Sequence, residues 1–210
     1  MRYEIIQTQP YKNAAFTIRK SNGDDIGKAV QVQKRNNGFT GFELEFLDYQ
    51  IRMKYMGSLL FEWKKRLKFW TPLSYATYYF FQNGTKYGEL CKYPNRTYLM
   101  QINGQVYTMC TVGFGSEGIK FPIFEGEFKN TATRGKQIAL IETPNLAQKL
   151  NNYQVTALGE WEGLVAALYG IYVDDVTFSI NDSYYRKTYL KTFNVQNSLY
   201  DPAFKGQIVD

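Results

Sequence analysis

The apolar residues of this chain form one continuous run and many short alternating ones. The continuous run is Leu164-Val-Ala-Ala-Leu-Tyr-Gly-Ile-Tyr-Val173, which holds no charge and no proline. Its Val-Ala-Ala-Leu centre favours helix over strand. Glu160 and Glu162 stand just before it, where the positive end of a helix macrodipole stabilises carboxylates. On a helical wheel at about 100° per residue the run shows no polar face. A helix that is apolar on every side has to be enclosed, and this one falls short of the roughly 20 apolar residues that span a bilayer. The pattern predicts a central helix over about residues 160–177, surrounded by the rest of the chain.

Elsewhere the dominant period is two. Residues 3–8, 15–19, 75–81, 97–102, 105–112, 120–124, 137–141 and 153–158 read as short strands separated by Gly and Asn turns. Asn22-Gly23, Asn83-Gly84 and Asn103-Gly104 are hairpin signals, because a type I′ turn needs positive φ at both central positions. One local pattern also recurs. Asn22-Gly-Asp-Asp-Ile-Gly-Lys-Ala-Val30 matches Asn83-Gly-Thr-Lys-Tyr-Gly-Glu-Leu-Cys91, and Arg134-Gly-Lys-Gln-Ile-Ala-Leu-Ile141 is a weaker third version. The irregular spacing suits a β-meander of similar units and not a solenoid. Asp24 and Asp25 have no other ligand type clustered beside them, so they read as solvated turn residues and not as a metal site.

Residues 42–70 carry two patterns at once. Leu44, Leu47, Ile51, Tyr55, Leu59, Trp63, Leu67 and Trp70 recur every three or four positions, as on a helix. Yet residues 42–46 and 51–55 alternate like strands, and Gly57 interrupts a long helix. Two strands split at Gly57 and a helix-turn-helix both fit, and the strand-rich context favours strands. Within this region Trp63, Lys64, Lys65, Arg66, Lys68 and Trp70 interleave cations with aromatics. Such a strip is either a solvated strand face with snorkelling lysines or a contact for an anionic membrane or nucleic acid.

Composition narrows the chemistry. Tyr, Phe and Trp make up 17% of the 210 residues, which suits strands. There is no histidine, which removes Ser-His-Asp and Cys-His nucleophile systems, His bases and most zinc sites. Cys91 and Cys110 fall in strands that flank residues 97–102. Two strand spacings put them about 10 Å apart, too far for a disulfide, so both read as small buried hydrophobes. The tight acidic pairs Glu160/Glu162 and Asp174/Asp175 mark the ends of the helix; glycosidase carboxylates face each other across a cleft, which neighbours on one element rarely do. Gly113-Phe-Gly-Ser-Glu-Gly118 runs into Ile119-Lys-Phe-Pro122, which cannot open a helix as a phosphate loop must. No catalytic residue, metal or cofactor is expected. Neither a signal peptide nor a membrane-length segment is evident, so a cytoplasmic location is expected, with peripheral membrane contact open. The net charge of +6 permits an anionic partner.

A sheet with one apolar face and a helix with no polar face are both satisfied when the sheet closes around the helix. The expected fold is therefore mainly β, a closed antiparallel barrel of about 12 strands around a central buried apolar helix, followed by a C-terminal extension. The repeated hairpins at residues 23–30 and 84–91, and the late apolar helix Leu164–Val173 closing on Asp174, resemble the tubby C-terminal-like superfamily, which includes the phospholipid scramblases and LURP-one-related proteins. The resemblance covers residues 1–178 and implies the same barrel, with phosphoinositide binding, lipid scrambling or transcription-related roles among its members. No lysine–arginine pair here matches a phosphoinositide site, and residues 179–210 extend beyond the family's usual end. Two functions are expected: a non-enzymatic module for anionic phospholipid surfaces acting through Trp63 to Trp70, or a scaffold for protein interactions with no small-molecule site. Nucleic-acid binding through the same strip is a third. Residues 184–200 carry too many aromatics for a disordered tail, and are expected to pack on the barrel or on a protein partner, including a second copy.

Overall fold

The computed structural model describes residues 1–10, 13–34, 39–55, 77–92, 97–112, 118–127, 133–143, 150–175 and 200–208. Its strands are β1 (Arg2–Gln9), β2 (Ala15–Lys20), β3 (Asp25–Lys34), β4 (Phe39–Phe46), β5 (Tyr49–Tyr55) and β6 (Tyr78–Gln82). They continue as β7 (Thr85–Lys92), β8 (Thr97–Ile102), β9 (Gln105–Cys110), β10 (Ile119–Glu125), β11 (Gln137–Thr143) and β12 (Asn152–Ala157). All pair antiparallel with their chain neighbours, and β1 pairs with β12 to close the ring. One α-helix, α1 (Glu160–Val173), follows β12 among the described residues.

The dimensions explain why helix and barrel belong together. An eight-stranded barrel is just wide enough for side chains to fill. Twelve strands leave space along the axis for a helix about 10–12 Å across, and α1 occupies it. Every residue from Gly163 to Val173 is buried, and α1 shares one core with inward side chains from all twelve strands, among them Ile5, Phe16, Ala29, Phe46, Met53 and Phe80. Fourteen helical residues rise about 21 Å, close to the span of a six-residue strand. Small residues set the closest approaches: a Cβ on Gly163 would lie 3.0 Å from Met1 Sδ and 3.2 Å from Phe46 Cζ.

The strand reading of residues 42–55 holds and the helical one fails there. Leu44 and Ile51 are cross-strand partners, so their helix-like spacing is alternation read across a tight turn. That turn lies at Leu47-Asp48, with Leu47 in the left-handed region at φ 49°, and not at Gly57. Gly57 and the rest of residues 56–76 lie outside the described residues. Asn83-Gly84 and Asn103-Gly104 have positive φ at both positions, as type I′ turns require. At Asn22-Gly23 only the glycine does. There Gly23 N–H donates to Lys20 O, 2.9 Å, and Lys20 N–H to Asp24 O, 2.8 Å. This is the three-residue loop built from a type I turn and a glycine bulge. Asp24, at the end of the loop, and Asp25, which opens β3 and so is not the turn residue expected, are both exposed and bonded to Asn22 and Arg19 respectively.

The recurring sequence pattern has a structural counterpart. The β2–β3, β6–β7 and β10–β11 pairs each carry a register shift, between Ile18 and Arg19, Phe80 and Phe81, and Ile123 and Phe124. In each, β-bulge geometry leaves one unpaired residue on the second strand: Ile26, Tyr87 and Ile138. The carbonyls of these three accept N–H groups from Leu47, Asn103 and Leu158, at 2.8, 3.1 and 3.0 Å. The next residues, Gly27 and Gly88, lie so close to β4 and β8 that a Cβ would collide with the backbone carbonyls of Glu45 and Gln101. In the third case Ala139 faces Ala157, a small pair where the others set glycine against Phe46 and Ile102.

Enclosure of α1 makes Gly170 sensitive to size. A Cβ there would sit 2.7 Å from Ile5 Cδ1, so Gly170→Leu should overpack the core and lower stability by about 1–3 kcal/mol or more. Urea unfolding followed by tryptophan fluorescence measures this. An unchanged midpoint would contradict enclosure.

Candidate functional site

The meander sends its connections to two opposite ends of the barrel. At the end where α1 begins, β2–β3, β4–β5, β6–β7 and β8–β9 are joined by tight turns. Here Trp161 packs edge-on against Tyr49 and Tyr87, with ring centroids 5.9 and 6.5 Å away. Its Nε1–H points at the Tyr107 hydroxyl, 2.7 Å, and Gln105 Oε1, 3.1 Å. Tyr3 donates its hydroxyl to Gly163 O at 2.6 Å. Burial holds the Tyr3 hydroxyl well above its ordinary pKa, so it remains a donor.

At the other end α1 finishes on two acids. Asp174 is 2% exposed, and the negative pole of the macrodipole disfavours a carboxylate there. Neutral donors from neighbouring strands compensate. Gln7 Nε2 donates to Asp174 Oδ2 at 3.1 Å, and the Tyr153 hydroxyl to Oδ1 at 2.7 Å; Asn151 Nδ2 also donates to Oδ1. Asn151 N–H returns to Gln7 Oε1 at 3.1 Å, so β1, the start of β12 and the helix end form one network. Asp175 accepts from the Tyr78 hydroxyl. Burial first, and then Asp175 beside it, keeps that hydroxyl protonated. Asp174 and Asp175 thus follow directly on α1, at the place their position in the sequence suggested. Gln7, Asn151, Tyr153 and Tyr78 carried no signal toward them, because the pairing depends on which strand ends meet in the closed ring.

The strip Trp63, Lys64, Lys65, Arg66, Lys68 and Trp70 lies outside the described residues. Its flanks are described: β5 ends at Tyr55 and β6 begins at Tyr78, both at the end where α1 finishes. The connections leaving from that end are residues 10–14, 35–38, 56–77, 93–96, 111–118 and 144–151. They contain Lys12, Arg35, Lys64, Lys65, Arg66, Lys68, Arg96 and Lys149 against Glu62 and Glu117. The chain after Asp175 leaves from the same end and brings Arg186, Lys187 and Lys191 against Asp182 before Tyr200. The expected packing of residues 184–200 falls almost wholly on residues 176–199, which lie outside the described residues. At the opposite end the connections and the first turn of α1 hold Asp24, Asp48, Glu127, Glu160 and Glu162 against Lys129, Arg134 and Lys136. Asp174 and Asp175 add two acids at the end where α1 finishes, and the sequences of its connections still carry a basic excess.

Cys91 and Cys110 form no disulfide and lie on strands separated by β8; Cys110 is buried as expected, whereas Cys91 is only half-buried. Burial pushes the Cys110 thiol up to about 12, against a weaker opposing hydrogen bond with Thr97. Among the described residues no group of His, Cys, Asp and Glu is arranged to hold a metal ion. No helix among them is long and apolar enough to cross a membrane. No family profile, no curated protein and no solved structure matches this chain.

Two outcomes follow from these environments. Asp174→Ala strands three buried donors and should cost about 1–3 kcal/mol or more, read as a lower urea midpoint; an unchanged midpoint would mean the network does not hold the helix end. In a Cys91→Ser variant, the remaining thiol should stay unreactive to Ellman's reagent at pH 8 until denaturant is added. Immediate reaction would show that Cys110 is accessible and ionisable.

Proposed function

We propose that the protein is a non-enzymatic, tubby-like barrel that binds anionic phospholipid surfaces with the end of the barrel where α1 finishes. The observation that carries this reading is the sequence of the connections at that end. Basic residues concentrate in the connections from one end, and the aromatic-basic strip from Trp63 to Trp70 belongs to the longest of them. Lys64, Lys65, Arg66 and Lys68 supply attraction to lipid phosphates, while Trp63 and Trp70 favour the interface between water and hydrocarbon. The mode is peripheral, from the cytoplasm, where the membrane leaflet is anionic. The packed axis supports an outward-facing function, since α1 and the inward side chains fill the space a lipocalin-like barrel would give to a small ligand.

Co-sedimentation with phosphatidylcholine vesicles, with and without phosphatidylserine, tests the proposal. Binding should need the anionic lipid and vanish above about 0.5 M salt, where screening is nearly complete. At about 1 kcal/mol per basic residue near such a surface, replacing Lys64, Lys65, Arg66 and Lys68 together by alanine should weaken partition by about two to three orders of magnitude. No binding at low salt overturns the reading and leaves the scaffold function. Salt-sensitive retention of random DNA without vesicle binding would instead assign the strip to nucleic acid.

A further inference from the structure

Three equivalent bulged pairs, β2–β3, β6–β7 and β10–β11, open three four-strand units, β2–β5, β6–β9, and β10–β12 completed by β1; a separate irregularity at Gln7/Gln9 lies between β1 and β2. The third and fourth strands of the first two units are hairpins, closed by Leu47-Asp48 and Asn103-Gly104. In the third unit the corresponding strands are β12 and β1, and no turn joins them. Ala157 and Met1 exchange backbone hydrogen bonds at 3.0 Å, as the residues flanking a two-residue turn would. Leu158 occupies the position of Leu47 and Asn103 but lacks their positive φ, and the chain departs into α1. Every other neighbouring pair in the ring is consecutive in the chain. The β1–β12 junction is therefore the one seam of the barrel, held along its length without a covalent link at either end.

We propose that Asp201–Ile208 is a clasp that holds this seam shut, in place of the turn the third unit lacks. The segment lies outside the barrel and grips it on both sides of β12. On β1, Arg2 Nη2 donates to Lys205 O and Ile208 O, each 3.2 Å away. On β11, Lys205 Nζ pairs with Glu142, and Phe204 and Ile208 pack on the outward side chain of Leu140. Phe204 is 1% exposed and anchors the short 3-10 helix Phe204–Gln207. Asp201 shapes the turn into that helix, its Oδ1 accepting Ala203 N–H at 2.9 Å. Because β1 and β11 are separated only by β12, a segment fixed to both opposes their parting. Opening the seam would expose two unpaired strand edges and part of the core.

Native-state hydrogen exchange on the full chain reads the seam directly. Since Ala157 bonds Met1 and Gln7 N–H bonds Asn151 O, antiparallel alternation puts the amides of Tyr3, Ile5, Tyr153 and Val155 in cross-seam bonds. Phe204→Ala should speed exchange of these four amides about tenfold or more, and leave those of Met100 and Tyr107 in the β8–β9 hairpin unchanged. Glu4 and Gln154 are outward partners at a non-hydrogen-bonded position across the seam, suited to a disulfide. Oxidised E4C/Q154C should restore slow exchange in the Phe204→Ala background. Uniform acceleration in every strand, or none at the seam, overturns the clasp. So does failure of the stapled variant to fold, since a closed seam should then need no clasp.

Discussion

The helix α1 has no face that gains from contact with water, so burying it on every side is the constraint around which the rest of the protein is arranged. Burial of a whole helix requires a container with no open edge, and an antiparallel sheet closed on itself is the architecture that offers one face inward while pairing every backbone edge. The strand count follows from the same need. A ring too small leaves room for side chains alone, and a ring too large leaves voids along the axis. Gly163 and Gly170 complete the fit by letting Phe46, Tyr3 and Ile5 reach the helix surface.

Enclosure creates a second problem at the helix ends, where backbone and carboxylate groups lose water. The solution differs between the two poles. At the start, Trp161 and Gly163 are engaged by Tyr107 and Tyr3, hydroxyls on otherwise apolar strand positions. At the finish, a buried carboxylate stands where the helix dipole opposes it, and Gln7, Asn151 and Tyr153 provide the hydrogen bonds that make this tolerable. Tyr169 does the same midway, reaching Tyr107 O at 2.8 Å. These polar contacts between helix and wall fix one orientation and one depth for the helix, which a purely apolar lining would leave loosely determined.

The near-threefold repetition of the wall and the asymmetry of its content meet at these contacts. Tyr3, Tyr107 and Ile51 hold equivalent places in the three units, paired with Val155, Met100 and Leu44, yet only the two tyrosines reach polar groups of the first helical turn. A repeated frame supplies the closure and single substitutions within it supply the fit. The frame also governs the outside. Along β9 to β11 the outward residues Cys110, Phe124 and Leu140 are apolar and buried, covered by Tyr200 and Phe204. The solvated strands β3 to β5 instead carry cross-strand ion pairs such as Lys28–Glu45 and Arg52–Glu43.

Much of this architecture is legible in the amino-acid order, because it depends on local periodicity. An uninterrupted apolar run at helical propensity, period-two alternation and Asn-Gly turns specify elements, and the two requirements for burial combine into a barrel around a helix. The separation of Cys91 and Cys110 by β8 follows from the meander alone. Where two periods coincide, as at Leu44 to Tyr55, local pattern leaves helix and strand open; strand pairing between Leu44 and Ile51 decides it, since a sheet in register buries both. The turn at Leu47 was equally invisible, because a leucine in the left-handed region is held there by its backbone bond to Ile26 and not by its own preference. Asp174 meets Gln7 from 167 residues away in the chain, and Arg2 meets Lys205 and Ile208 across nearly the whole chain. Such contacts depend on which strand ends become neighbours when the ring closes. Elements and enclosure were in the sequence; partners, poles and the seam came only from closing it.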